Sequence, residues 1–165
     1  MPRPVSRMRP VHPGEILREE FLALYAQNLC VDTCLFPEMD DLLDRLDGHG
    51  IVWGVVTNKF ERFARSVIGG LGLASRAAIV VGGDTCARAK PFPDSLLHAA
   101  QCLALEPRSI LYVGDDERDV QAARAAGMPV IAAGYGYLGN SPEPARWGAD
   151  GVAGSPADIA RWAGL

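Results

Sequence analysis

Lysine is almost missing from this chain: of its 16 basic residues only Lys59 and Lys90 are lysine. Where arginine is the default cation, a retained lysine marks a place that needs a compact, rotatable ammonium rather than a planar fork. Paired cysteines are missing too. Cys30, Cys34, Cys86 and Cys102 form no C-x-x-C pair, and a chain of 165 residues buries roughly 70% of its unfolded surface without staples, so reduced thiols are expected. Cys30 and Cys34 would stack one helical turn apart, but no second pair or neighbouring histidine completes four zinc ligands, and His12, His49 and His98 share no ligand spacing. No apolar run approaches the roughly 20 residues of a membrane helix. Arg3, Arg7 and Arg9 are not followed by the apolar stretch of a signal peptide, so a cytoplasmic protein is expected. The net charge is −4, and the first 13 residues hold three basic groups and no acid. The rest is therefore more acidic than the whole, which argues against nucleic acid or a membrane surface as partner.

Hydrophobic residues make up 48% of the chain, enough for one globular domain. Pro2, Pro4, Pro10 and Pro13 break helix and strand alike, so residues 1–13 read as a flexible arm. Ile16, Leu17, Phe21, Leu22 and Leu24 fall on one side of a helix running from Glu15 to about Cys30. A second helix starts at Phe36-Pro37, with Met39, Leu42, Leu43 and Leu46 at helical spacing and Gly48 to Gly50 closing it. Then follows an alternation. The β-rich runs 51–57, 77–83, 109–115 and 129–136 are separated by helices expected over about 60–71, 93–104 and 119–126, with Gly151-Val152 as a short edge strand. Strands apolar on both faces and alternating with helices predict an α/β fold, a parallel sheet with helices on both faces.

In such sheets ligands sit beyond the carboxyl ends of the strands, so the residues just after each apolar run carry the chemistry. Three groups stand there: Thr57-Asn58-Lys59; Asp115-Asp116 with Asp119; and Lys90, which opens the turn before Pro91. A hydroxyl, an ammonium and clustered carboxylates are what phosphoryl transfer with Mg²⁺ requires. Each has a plainer use. Thr57 could cap the following helix, Lys90 could be a solvated turn residue, and Asp115 to Asp119 could be acids suited to a helix dipole. Gly134 to Gly139 spells G-x-G-x-x-G, but the segment NSPEPARWG that follows does not open a helix, so a dinucleotide site is not expected.

The order Thr57, Lys90, Asp115 resembles the haloacid dehalogenase (HAD) superfamily of phosphohydrolases, on the motifs IVWGVVTNK, RAKPFPDSLL and YVGDDERDVQAARAAGM, over about residues 22–165. The segments TNKFERF, GGDT, KPFPDSLLHAA and AAGYGYLG are most similar to its phosphoglycolate phosphatase group. The resemblance implies a Rossmann-like sheet and a phosphomonoesterase converting 2-phosphoglycolate and water to glycolate and phosphate, with a small phosphorylated metabolite as partner. It implies that Thr57 holds a phosphoryl oxygen with help from the backbone near Asn58, and that Lys90 neutralises charge in the transition state. Asp115 would be a Mg²⁺ ligand and Asp119 a second ligand or orienting group; Asp116 stands where the family often has a small polar residue.

The family's nucleophile and acid/base lie in a D-x-D pair after a first strand, followed by a helical cap. No D-x-D occurs in the sequence. The resemblance therefore implies that the first strand and most of the cap are missing, with residues 14–37 the remnant of the cap and 38–165 the core. Asp32, Asp40, Asp41, Asp44 and Asp47 follow no buried strand, and Asp40 to Asp47 read as a solvated helix face, so no surrogate nucleophile is evident. The missing strand is the family's central one, between those ending at Thr57 and Asp115. Its loss would leave two edges unpaired unless they close on each other or a second chain fills the gap, so self-association is plausible. An impaired phosphatase, a non-catalytic phosphate-binding or interaction module and a truncated gene product all fit this set. Residues 8–22 also resemble the start of the antitoxins of toxin–antitoxin modules, without the DNA-binding body of those proteins.

Overall fold

The computed structural model describes residues 13–138 and 143–165; the arm expected over 1–13 lies outside them except for Pro13. The elements alternate as expected. They are α1 (Pro13–Gln27), α2 (Met39–Gly48), β1 (Val55–Val56), α3 (Glu61–Gly70), β2 (Val80–Val81), α4 (Asp94–Cys102), β3 (Tyr112–Gly114), α5 (Glu117–Ala126), β4 (Val130–Ala133), β5 (Gly151–Ala153) and α6 (Pro156–Trp162). The ladders are shorter than the apolar runs that predict them. The sheet is also not continuous: β1 pairs with β2, and β3, β4 and β5 form a second set in that order, every pairing parallel. A strand flanked on one side only keeps a short ladder, and β1 and β3 each have one partner.

Both sets nevertheless belong to one layer. Val55, Leu111, Val113 and Ile131 pack into a core with α2, α3 and α6. Their chain neighbours Val56, Ile110, Tyr112, Val130 and Ala132 pack into a second core with α4 and α5. The two-residue period of a strand thus assigns the same two faces on either side of the break. On one face α4 touches both β1 and α5; on the other α2 packs along α6.

Local chemistry sets the helix ends. Asp116 and Asp119 form a reciprocal capping box at the start of α5, and Gly127 at φ 74° closes it in the left-handed conformation. Ser155, Pro156 and Asp158 do the same at the start of α6, a helix not foreseen above although Ser-Pro-x-Asp is its signal. The acidic face of α2 is exposed as expected, but it is not simply solvated: Asp40, Asp44 and Asp47 gather round Arg76 at 3.5, 2.7 and 2.6 Å. The apolar marks of α1 behave differently. Leu17, Phe21 and Leu24 are exposed, and the helix docks through Tyr25, edge-on to Phe63 at 5.3 Å and hydrogen-bonded to Lys59. No helix among the described residues is long and apolar enough to cross a membrane.

Ile131 is fully buried in the central strand β4, and Val52 is exposed. Ile131→Ala is expected to cost about 2–5 kcal/mol and Val52→Ala less than about 0.5 kcal/mol, read from urea unfolding midpoints.

Candidate functional site

The break between β1 and β3 is where the candidate residues meet. Lys90 Nζ lies 3.0 Å from the carbonyl of Val56, 2.8 Å from the Tyr112 hydroxyl and 2.6 Å from Asp119 Oδ1. An ammonium has three donors, and here each has an acceptor. That accounts for lysine in a chain that otherwise uses arginine, since a planar fork cannot aim at three separated oxygens. The side chains of Lys90 and Asp119 are 9% and 8% exposed. A buried ion pair of this kind survives only because the remaining lone pairs are also bonded: Asp119 Oδ2 accepts from the Asp116 N–H at 3.2 Å, and Oδ1 lies 3.3 Å from the Tyr112 hydroxyl.

The turn that carries Lys90 is held by Asn58. Its side-chain carbonyl accepts from the Lys90 N–H and its amide donates to the Lys90 carbonyl, both at 3.0 Å. The side chain of Asn58 thus holds the Lys90 turn, a use separate from the backbone donor expected beside Thr57. Thr57 follows Val56 at the carboxyl end of β1, and its Oγ1 accepts from the Lys59 N–H at 3.2 Å. The first turn of α3 takes its cap from elsewhere: Asp84 Oδ1 accepts from the Glu61 N–H at 2.7 Å. The carboxyl ends of β1 and β3 therefore adjoin, with Lys90 between them.

Asp115 sits at the end of β3, half-buried, and its Oδ2 accepts from the Tyr137 N–H at 2.8 Å. Gly136 is required there because a Cβ on it would fall 2.3 Å from Asp115 Cβ; Gly114 answers the same need against Asp119. Phe36 covers this loop, 5.4 Å from Tyr135 and 5.6 Å from Tyr137 between ring centres. Burial, with the Asp115 charge nearby, pushes the Tyr135 phenol up to about 12. Asp116 caps α5, and its hydrogen bonds with Arg118 hold its carboxyl at about 2, below the ordinary 3.8.

As a Mg²⁺ site this set fits in part. Carboxylates are the right donors for a hard cation that keeps several waters and needs one or two protein ligands, and Asp115 offers one. Asp119, the other expected ligand, has its oxygens committed to Lys90, Tyr112 and the Asp116 N–H. No cluster of three or more His, Cys, Asp or Glu suited to a metal occurs among the described residues.

Tyr112 was not among the expected residues. A phenol in the middle of a strand buried on both faces is its signal, because a buried hydroxyl needs a partner. Burial and the Asp119 carboxylate drive its pKa well above the usual range, so it stays protonated.

The model of the haloacid dehalogenase-like hydrolases matches residues 8–133, a span that includes the whole antitoxin-like stretch, residues 8–22. The chain belongs to the haloacid dehalogenase-like hydrolase family. It is 43% identical over 145 residues to a phosphoglycolate phosphatase of Xanthomonas campestris pv. campestris (strain 8004), covering 88% of this chain and 66% of that one. It is 41% identical over 145 residues to an N-acetylmuramic acid 6-phosphate phosphatase of Pseudomonas putida KT2440, covering 88% and 65%. A crystal structure of a predicted phosphoglycolate phosphatase from Haemophilus somnus 129pt superposes with a TM-score of 0.85 at 29% identity, covering 94% of this chain and 69% of that one. The chain thus spans a little under two thirds of the length of these curated relatives.

Lys90→Ala leaves Asp119 as an unpaired buried charge and is expected to cost about 3–5 kcal/mol. Adding Asp119→Asn should recover more than about 1 kcal/mol of that, measured as a double-mutant cycle in urea. Asp116 has a folded pKa below its unfolded one, so its contribution is full above about pH 4 and is lost as pH falls through about 2. Asp116→Ala should cost about 1 kcal/mol at pH 7 and flatten the acid limb of the stability profile over that window.

Proposed function

We propose that this chain carries the phosphoryl-binding and charge-neutralising half of a HAD-type phosphomonoesterase for small phosphorylated carboxylic acids. The observation that supports the reading is the buried Lys90, fixed by Asn58 and Asp119 beside Thr57 at the carboxyl ends of two parallel strands. A desolvated ammonium attracts developing phosphoryl charge more strongly than a solvated one, and Asp119 keeps it in place. Thr57 would donate its hydroxyl to a second phosphoryl oxygen, its own acceptor side being used by the Lys59 N–H. Asp115 would hold Mg²⁺, which when bound offsets the negative charge of the phosphoryl oxygens. Both named relatives are phosphatases of phosphorylated acids, which supports the substrate class. We place α1 and the linker to α2, residues 14–37, as the remnant of a cap, with Phe36 reaching the Asp115 loop. The reading places the protein in the cytoplasm.

What is missing is a carboxylate to attack phosphorus, since no D-x-D occurs. The chain alone therefore binds substrate without turning it over. The purified chain is expected to bind 2-phosphoglycolate in calorimetry with Mg²⁺, roughly tenfold more weakly as Thr57→Val and more weakly as Asp115→Asn. Phosphate release should not exceed the buffer rate. Absence of binding, or binding indifferent to both substitutions, would sink the reading; turnover would show that another carboxylate serves as nucleophile.

A further inference from the structure

Lys59 is the other of the two lysines, and the phosphoryl site described above makes no use of its ammonium. Its backbone is fixed beside that site: the N–H donates to Thr57 Oγ1 at 3.2 Å, and the carbonyl accepts from the Gly83 N–H at 2.8 Å. The side chain is half-buried and lies against α1, with Nζ 4.7 Å from the centre of the Tyr25 ring and hydrogen-bonded to the Tyr25 hydroxyl. An aromatic face holds a cation without neutralising it. No carboxylate among the described residues pairs with Lys59. The acids that flank it are committed elsewhere, Glu61 to Arg65 and Thr85, and Asp84 to the Glu61 N–H. An ammonium has three donors and a phenol one. Lys59 spends one on Tyr25, and the Tyr25 proton has no acceptor among the described residues. Two ammonium donors and one hydroxyl donor thus stand together near the carboxyl end of β1, without a counter-charge, in a chain whose net charge is −4.

We propose that Lys59 and the Tyr25 hydroxyl form a carboxylate subsite, which holds the acid group of a phosphorylated acid whose phosphoryl group lies on Thr57 and Lys90. The inference rests on the phosphoryl-site reading and adds to it the part of the substrate that is not transferred. A carboxylate suits this donor set, because one of its oxygens takes the ammonium and the other the phenol, the first in a charge-assisted bond. Charge fits as well: a carboxylate brings one negative charge to one ammonium, whereas a second phosphoryl group brings about 1.5–2. The placement is that of a neighbouring group. Lys59 begins at the amide that binds Thr57 Oγ1, and its flexible stem carries the ammonium from there to α1, to one side of the phosphoryl position instead of onto it. The choice of lysine follows too. A compact ammonium can touch the ring, bond its hydroxyl and still aim protons outward, while a guanidinium stacked on the ring spreads its donors in one plane.

Because Lys59 and Lys90 are the only lysines, selective ¹⁵N-lysine labelling gives two side-chain ammonium signals, and the one lost in Lys59→Arg is Lys59. With Mg²⁺ present, the chain is titrated with 2-phosphoglycolate, with inorganic phosphate, and with 2-hydroxyethyl phosphate, in which a hydroxymethyl group replaces the carboxylate. Every ligand is expected to move the Lys90 signal, and only 2-phosphoglycolate the Lys59 signal. In calorimetry Lys59→Met should weaken 2-phosphoglycolate binding roughly tenfold and that of the other two by no more than about twofold, the screened effect of a removed neighbouring charge. Tyr25→Phe, which keeps the ring, should weaken 2-phosphoglycolate binding less than Lys59→Met does, and Lys59→Arg should keep part of the preference for the acid. Retained binding of the two ligands without a carboxylate shows that each variant is folded. An equal loss for all three ligands, or no loss, would overturn the proposal while the Lys90 shifts keep the functional reading. So would a Lys59 signal that moves with inorganic phosphate, which would make Lys59 a phosphoryl ligand. A Lys90 signal silent toward every ligand would overturn the functional reading and this proposal with it.

Discussion

Much of this molecule hangs on one carbonyl oxygen. Val56 ends β1 without a neighbour on its open side, and an unpaired carbonyl inside a fold costs on the order of 1–3 kcal/mol. Lys90 and Tyr112 meet that need from two different directions in sequence, 34 and 56 residues away. Because Lys90 is drawn in, Asp119 must come with it to compensate the charge. Because Asp119 is drawn in, Gly114 has no room for a side chain. The capping box of α5, the tight turn after β3 and the clamp of Asn58 on the Lys90 backbone all follow from stabilising one buried ammonium beside one strand edge.

The same arrangement shows why structure and chemistry share residues here. Asp119 caps α5 through the Asp116 N–H and anchors the ammonium with its other oxygen. Asp116 is bound to Arg118 and spent on the helix. Of the acidic run at the end of β3, Asp115 is the member held outside both tasks, tied among the described residues to the loop after β4 through the Tyr137 N–H. A run of acids that reads in one dimension as a cluster is divided in three dimensions into a cap, an anchor and a ligand candidate.

Most of the fold was legible because its signals are local. The β-branched runs and the helical spacing between them gave an alternating order, and the order of Thr57, Lys90 and Asp115 pointed to one edge of a parallel sheet. The break itself could be inferred from the lack of a D-x-D strand. What was not legible depends on distance through space. Nothing near Tyr112 in sequence shows that its hydroxyl meets Lys90, and nothing near Arg76 shows that three carboxylates of α2 surround it. Leu17, Phe21 and Leu24 were read as one side of a helix, and that side is exposed: periodicity reports that a helix has an apolar side, not what covers it. By contrast α6 was missed for want of weight on Ser155-Pro156-x-Asp158, a signal fully present in the sequence.

The way the helices straddle the break has a mechanical meaning. With no ladder between β1 and β3, the two leaves of the sheet are joined by α4 reaching from β1 to α5 on one face and by α2 lying along α6 on the other. Two spines on opposite covers resist sliding of one leaf past the other, since any slide shears both at once. They resist widening far less, because side chains that pack sideways can separate without losing a backbone bond. What resists an opening along the seam is therefore the set of side-chain bonds that cross it, Lys90 and the Tyr112 hydroxyl on the Val56 carbonyl and Asp119 on Lys90, so the site itself is the clasp between the two leaves.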